Sequence, residues 1–330
     1  MTAEALLEDI AEVAEAALAR YGISGSPPPV LVNVSENATY RVEDSERGAR
    51  YALRVHRDGY HSLNAIASEL AWMRALRNDG AAITPRPVAA SDGTLIQSIA
   101  HPRLPGPRHV VMFDWESGIE PSETDDLGSG FAILGETAAR MHRHARAWRR
   151  PAGFERFTWD FATSLGAEPH WGSWRDGIAV DPRTCFLFER TVALIERRLE
   201  RFGKTADRFG LVHADMRLAN LLIDGATVKI LDFDDCGFSW NLYDAATAVS
   251  FFEHDPHVDE LLAKWCEGYR GVAVLADIEE AEIPTFVMLR RLLLVAWIGS
   301  HTETDLARSL GADYTAATAP LCERYLTRFG

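Results

Sequence analysis

The chain has 330 residues, 47% apolar and 25% charged, enough to bury the core of two domains or lobes without covalent staples. Its formal net charge of −14 disfavours nucleic acid as a partner, because a phosphate backbone calls for a basic surface; the acidic balance serves solubility first and is compatible with a cationic substrate. Cys185, Cys236, Cys266 and Cys322 are scattered with no C-x-x-C pair, which argues against a zinc ribbon or a disulfide framework and suits a reducing cytoplasm.

The opening stretch MTAEALLEDIAEVAEAALARYG carries acids early and no basic leader, so it reads as an amphipathic helix rather than a signal peptide. Alternation around residues 30–34, 40–43 and 51–55, separated by polar turns, predicts three antiparallel strands. In SLNAIASELAWMRALRNDG the apolar residues Ile66, Leu70, Met73 and Leu76 recur at helical spacing, and Gly80 suits the helix end. Two further strands are expected near 87–90 and 109–113. Past the polar stretch DWESGIEPSETDDLGSG the pattern turns helical from Phe131 onward. The most apolar run, FVMLRRLLLVAWIG, is interrupted by Arg290 and Arg291 and is too short for a bilayer, so it reads as a core helix. These patterns predict an α+β chain: a sheet lobe over 1–113 holding one main helix behind the N-terminal one, a hinge at 114–118, and a mostly helical lobe over 119–330.

One stretch breaks the helical character. LVHADMRLANLLIDGATVKILDFDD, residues 211–235, sets a histidine, an asparagine and five aspartates beside two strand-like runs joined by the turn IDGAT. His213, Asp215 and Asn220 fit H-x-D-x-x-x-x-N, and Asp232 follows at a strand end, twelve residues after Asn220. A strand–turn–strand connection returns Asn220 and Asp232 to the same end of a hairpin. Phosphoryl transfer calls for these residue types, since its chemistry is mostly positioning and charge neutralisation. One carboxylate orients the acceptor hydroxyl and takes its proton. Another carboxylate and an amide oxygen hold Mg2+, which prefers hard oxygen ligands.

Matching parts stand upstream. YALR at 51–54 lies on the third strand where kinases carry V-A-I-K, and Glu69 in the next helix is placed to pair with Arg54. With the 211–235 motif, this set resembles the kinase-like aminoglycoside phosphotransferase and choline kinase superfamily, including its homoserine-kinase-like members. The resemblance runs over roughly residues 25 to 310 and is most specific in 211–235. It implies a protein-kinase-like two-lobe fold with a five-stranded antiparallel N-lobe and a mostly helical C-lobe. It implies that ATP, with Mg2+ bridging its phosphates, gives its γ-phosphoryl group to a hydroxyl of a small molecule. Asp215 would be the base, Asn220 and Asp232 the metal ligands, with Asp234 supporting the metal. Arg54 would touch the α and β phosphates and pair with Glu69. The backbone of MFDWE, beginning Met112, Phe113 and Asp114, would meet the adenine, and His213 would hydrogen-bond behind the catalytic loop.

Some positions depart from the pattern. Arg54 replaces the usual lysine, presenting a planar fork rather than a point donor. The first hairpin, NVSENATYRV, has no glycine, leaving Ser35, Asn37 and the backbone between them to cover the phosphates. Ala214 stands in place of the arginine of H-R-D. A tryptophan and a new helix, WNLYDAATAV, follow Asp232 almost at once, leaving no room for an activation segment. Its absence favours a small-molecule kinase.

Several other residues have a bland reading beside a sharp one. Asp244 is expected to brace the catalytic loop with His213 or Arg217 as partner. His142 and His144 lie on different helix faces, which favours structural roles over metal binding. Trp159, His170, Trp171 and Trp174 read as packing residues in the region where this superfamily builds its acceptor pocket. Glu253, His254 and Asp255 read as an exposed helix end or as an amine-recognising group. An aminoglycoside, homoserine or another amino alcohol all fit as acceptor, with an amine favoured by the negative surface; no nucleic acid or membrane partner is expected. A stress-response-type protein Ser/Thr kinase, a nucleotide-binding pseudokinase and a metal-dependent hydrolase stay open as alternatives.

Overall fold

The computed structural model describes residues 3–330, and the chain divides into two compact units. The first comprises Met1–Asp79, Thr84–Ser117 and Arg150–Glu155. It opens with helix α1 (Ala3–Leu18), followed by strands β1 (Val30–Val34), β2 (Ala38–Asp44) and β3 (Ala49–Val55), helix α2 (Leu63–Asn78), and strands β4 (Pro87–Val88), β5 (Ile96–Ile99) and β6 (Arg108–Asp114). The sheet has six strands rather than five. Its order is β1-β2-β3-β6-β4, all antiparallel, and β5 also pairs with β6. The extra strand, β5, is a four-residue segment that shares β6 with the two-residue β4, so neither carries a long alternating pattern.

Period-two alternation along β3 decides which side chain goes where. Leu53 and Val55 face a core shared with Tyr40 and Val42 of β2, Val110 and Met112 of β6, and Val13, Ala14 and Ala17 of α1. Arg54, between them, faces the opposite way and meets Glu69 of α2. Helix α2 starts where the Ser62 side chain accepts the Ala65 N–H, and beyond its end Gly80 takes a left-handed φ of 68°.

The second unit comprises Gly80–Ile83, Gly118–Arg149 and Arg156–Gly330. Its helices and strands are α3 (Gly128–Ala147), β7 (Phe157–Thr158), α4 (Phe161–Ser164), α5 (Pro182–Phe202), β8 (Phe209–Val212), β9 (Leu221–Asp224), β10 (Thr227–Ile230), β11 (Gly237–Trp240), α6 (Asn241–Ala248), α7 (Val258–Arg270), α8 (Asp277–Glu280), α9 (Ile283–Ser300) and α10 (Asp305–Phe329), the last kinked at Gly311. Strand β11 lies between β8, antiparallel, and β7, parallel, while β9 and β10 form the hairpin expected around IDGAT. Helix α9 is longer than the run of apolar letters suggested. The stretch Asp277–Ser300 would pass for a membrane span by length and composition, but 83% of its window is buried inside the protein. A helix buried all round shows no amphipathic pattern, and α9 is the axis of the helical unit. All four cysteines are free thiols.

Helices α3 and α7 approach closely because each offers a glycine to the other's backbone. A Cβ on Gly135 would lie 1.9 Å from the Trp265 carbonyl oxygen, and one on Gly268 would lie 1.8 Å from that of Ala132. Gly268→Ala is therefore expected to destabilise the protein by roughly 3 kcal/mol, at the upper end of overpacking costs. Urea unfolding measures it, and an unchanged midpoint would mean that the helices do not need this approach.

Candidate active site

The candidate catalytic loop leaves β8 at Val212 and is bent by Ala214, whose φ of 67° is rare for a residue with a Cβ. Asp244, in the first turn of α6, holds that bend. Its Oδ1 accepts the Ala214 N–H at 2.7 Å and its Oδ2 accepts the His213 N–H at 3.2 Å. Asp244 is wholly buried, and the partner that faces its Oδ2 is His142 Nε2 at 2.9 Å, with the other ring nitrogen 3.2 Å from the Tyr269 hydroxyl. The bracing role expected of Asp244 is present, but its side-chain partner is His142 rather than His213 or Arg217. Two residues on, the Met216 N–H donates to Thr247 Oγ1 of the same helix at 2.9 Å.

His213 lies behind the loop. Its Nδ1 accepts the Asp215 N–H at 3.2 Å, which places the ring proton on Nε2, 2.8 Å from the Leu231 carbonyl oxygen. One ring thus ties the catalytic loop to the segment that carries Asp232. Asn220, ending a 3-10 turn at Leu218–Asn220, donates Nδ2 to the Asp215 carbonyl at 2.9 Å and to Asp215 Oδ2 at 2.7 Å. With the amide nitrogen committed to two acceptors, Oδ1 is the atom left to meet a cation. Asp215 receives Arg290 Nη2 on its other oxygen, while Arg217 Nε lies 3.4 Å from Oδ2. Burial by itself would raise the Asp215 pKa, but the charges of Arg290 and then Arg217, with the Asn220 hydrogen bond, hold it below the usual carboxylate range. Asp215 is accordingly ionised at neutral pH.

Asp232 also has a left-handed backbone, φ 51°, at the exit of β10. The turn after it is fastened from outside. Arg156 donates to the carbonyls of Asp234 and, at 2.6 Å from Nε, of Cys236, and the Trp159 indole donates to the Asp235 carbonyl at 2.7 Å. Asp234 and Asp235 are both buried. The residues fit a magnesium ion: Asn220 and Asp232 offer an amide oxygen and a carboxylate, hard donors both. Among the described residues no three His, Cys, Asp or Glu side chains form a closed metal cage.

In the first unit, Arg54 Nη1 donates to Glu69 Oε1 at 2.7 Å, and the Glu69 side chain is entirely buried. The Arg54 guanidinium carbon lies 5.3 Å from the centroid of the Phe113 ring. In the glycine-free hairpin, the Ser35 N–H donates to the Asn37 carbonyl at 3.1 Å and Asn37 Oδ1 accepts the Arg57 N–H at 3.0 Å, so the Asn37 side chain pins the turn. Met112 and Phe113 are paired with both β3 and β4. The N–H groups of Asp114 and Trp115 donate to the carbonyls of Arg86 and Arg50, so a purine edge there would meet other backbone groups. A cavity of about 710 Å3 in this unit, lined by Arg74, Arg77 and Arg86 among others, includes none of the candidate residues.

The three tryptophans of the aromatic segment are buried in the core. Trp159 and Trp171 pack against each other with centroids 4.9 Å apart, and Trp174 packs on Phe188. Glu253 is neither an exposed helix end nor open to an amine, because Arg291 Nη1 donates to one oxygen at 2.5 Å and the Tyr314 hydroxyl to the other at 3.2 Å. Arg290 and Arg156 escaped the sequence reading. For Arg290 a signal existed: two arginines inside a buried apolar helix need partners, and a carboxylate is the usual one.

A sequence model of the phosphotransferase enzyme family matches residues 31–279. Amicoumacin kinase of Bacillus subtilis (strain 168) is 25% identical over 306 residues, covering 89% of this chain and 85% of its own. The structure of a microcompartment-associated aminopropanol kinase is 44% identical with a TM-score of 0.88, covering 97% of this chain and 98% of that one. Amicoumacin kinase hAmiN, solved with AMP-PNP, Ca2+ and Ami, shares the fold at 24% identity and a TM-score of 0.75, covering 99% of this chain and 94% of its own.

Leaving a buried polar group without its hydrogen-bond partner costs on the order of 1–3 kcal/mol. Asp244→Ala is expected to lose stability on that scale, and the effects of His142→Ala and Asp244→Ala are expected to be strongly non-additive. Urea denaturation of the two single variants and the double variant decides this; simple additivity would rule out the brace.

Proposed function

The chain belongs to the phosphotransferase enzyme family, and from that premise we propose that it moves the γ-phosphoryl group of ATP to the hydroxyl of a small, amine-bearing alcohol. The observation that carries this reading is the Asp215 carboxylate, ionised, with each oxygen held by a different side chain, beside an asparagine whose amide oxygen is left for a cation. Asp215 receives the hydrogen bond of the acceptor hydroxyl, aligns its oxygen on the γ-phosphorus and takes the proton as the new P–O bond forms and the bond from that phosphorus to the β–γ bridging oxygen breaks, releasing ADP. Asn220 Oδ1 and the Asp232 carboxylate would hold Mg2+, supported by Asp234, and the ion would supply positive charge against the phosphate oxygens. In the first unit Arg54, anchored by Glu69, contacts the α and β phosphates. The turn at Ser35 and Asn37 covers the phosphates with backbone N–H groups, and the segment from Met112 through Asp114 lies against the adenine.

The amine in the acceptor is supported by the net charge of −14 and by the 44% identity to a chain described as an aminopropanol kinase. Hydroxyl acceptors with a primary amine one or two carbons away come first among those to be tried. A protein substrate is disfavoured because α6 begins at Asn241, within ten residues of Asp232, so the chain has no long segment there to form a peptide platform.

The test is mass spectrometry of the protein incubated with Mg2+-ATP and a pool of amino alcohols, homoserine and aminoglycosides. One acceptor is expected to gain the mass of a phosphoryl group. Asp215→Ala is expected to lower that turnover at least a thousandfold, in the range of acid–base effects, with ATP binding retained. Asp232→Ala is expected to lose the Mg2+-dependent part of nucleotide binding, read by calorimetry. If wild-type protein binds ATP but modifies nothing in the pool, the small-acceptor reading fails and protein phosphorylation is the next assay.

A further inference from the structure

Helix α9 carries two adjacent buried arginines that face different partners. Arg291 is held by Glu253, by Thr318 Oγ1 at 2.7 Å and by the Tyr314 carbonyl at 3.0 Å, which ties α9 to α10. Arg290 is 2% exposed, and every nitrogen of its guanidinium has a partner: Nε donates to Ser250 Oγ at 3.0 Å, Nη1 faces the Tyr243 hydroxyl at 3.4 Å, and Nη2 donates to Asp215 Oδ1. The guanidinium carbon lies 5.3 Å from the Trp171 ring centroid, so a flat side chain is seated against a flat surface. Ser250, Tyr243 and Trp171 fix where the fork points, and the fork fixes Oδ1. From the other side Asn220 Nδ2 fixes Oδ2. A carboxylate gripped on both oxygens cannot rotate about its Cβ–Cγ bond, and the lone pairs left on it point in set directions.

We infer that Arg290 is a positioning residue of the transfer reaction: delivered from α9, it sets the plane of the Asp215 carboxylate so that a remaining lone pair meets the acceptor hydroxyl. This rests on the reading of Asp215 as the group that receives that hydroxyl. The position calls for arginine in particular. A lysine presents one ammonium on a flexible stem and cannot bind Ser250, Tyr243 and Asp215 from one rigid plane. A misplacement of about 1 Å in such a group costs on the order of a hundredfold in rate, with little change in substrate binding.

The experiment compares Arg290→Gln, Arg290→Lys and Arg290→Ala with Arg291→Gln, using the acceptor identified for the wild type and counting only folded, ATP-binding protein. Arg290→Gln is expected to lower kcat about a hundredfold while leaving KM for ATP unchanged, and Arg290→Lys is expected to recover part of the loss. Added guanidinium at millimolar concentration is expected to restore part of the Arg290→Ala activity, and urea at the same concentration is not. In an Asp215→Asn background, Arg290→Gln is expected to cost nothing further, because its effect passes through that carboxylate. Arg291→Gln is expected to lower the melting temperature with kcat per folded molecule unchanged. The inference is overturned if Arg290→Gln keeps the wild-type kcat, if its effect adds in full to that of Asp215→Asn, or if guanidinium fails to restore Arg290→Ala. Should Arg290→Gln not fold, the Arg290→Lys variant with the same double-variant comparison decides. A wild type that phosphorylates no acceptor sinks the underlying reading instead, a result distinct from any of these.

Discussion

A charge taken out of water must be met by an opposite charge or by several hydrogen bonds, and the second unit is arranged around that requirement. Asp215, Asp244 and Glu253 are all buried there. Each is met by a basic side chain far away in sequence: Arg290 on α9, His142 on α3, Arg291 on α9. The unmet alternative costs several kcal/mol per ion even after relaxation. These pairs therefore constrain which helices can lie next to which. Helix α9 supplies two of the three, which is why a segment apolar enough to pass for a membrane span carries two arginines near its middle.

The same contacts hold a strained backbone. Ala214 and Asp232 take positive φ without being glycine, and so does Phe251, which lies 5.8 Å from the guanidinium carbon of Arg217. Such conformations cost about 1–3 kcal/mol each and persist only where the surroundings over-determine them. At Ala214 the determinants are the two carboxylate oxygens of Asp244. Beyond Asp232 they are Arg156 and Trp159, which take up three successive carbonyls. His213 links the two strained points by accepting from Asp215 and donating to Leu231. The loop that resembles a kinase motif in one dimension is thus a hydrogen-bonded unit in three, and its geometry is imposed from α3, α6 and the residues on either side of β7.

What was legible in the sequence was local. The H-x-D-x-x-x-x-N spacing, the hairpin that brings Asp232 back, and the period-two rule that turns Arg54 away from Leu53 and Val55 can be read within a few residues, and the folded chain bears out the antiparallel sheet, the helical region and the Arg54–Glu69 pair. Long-range pairing was not legible. His142 is 102 positions from Asp244 and Arg290 is 75 from Asp215, and no spacing rule connects them. Glu253 was misjudged for a related reason: it follows a helix and precedes two polar residues, a pattern that looks exposed, yet it meets an arginine whose helix is buried all round. The sixth strand was missed because four residues beside a two-residue neighbour carry too little alternation to stand out.

With Asp215 in the role proposed for it, its environment also bears on what sort of catalyst this would be. A carboxylate whose pKa lies below the ordinary range is a weak base, poorly suited to strip a proton from an alcohol before reaction. Strong basicity would need an apolar pocket with no cation nearby, the reverse of the pairing with Arg290 and Arg217. In a loose phosphoryl transfer the acceptor oxygen needs little negative charge until late, so a well-aimed hydrogen-bond acceptor serves better than a strong base. The cost of lowering the basicity of Asp215 is then small, and the gain is a carboxylate that is ionised at neutral pH and gripped on both oxygens. On the proposed reading, the buried arginine of α9 trades proton affinity, which the reaction calls on only as the P–O bond forms, for direction, which it needs throughout.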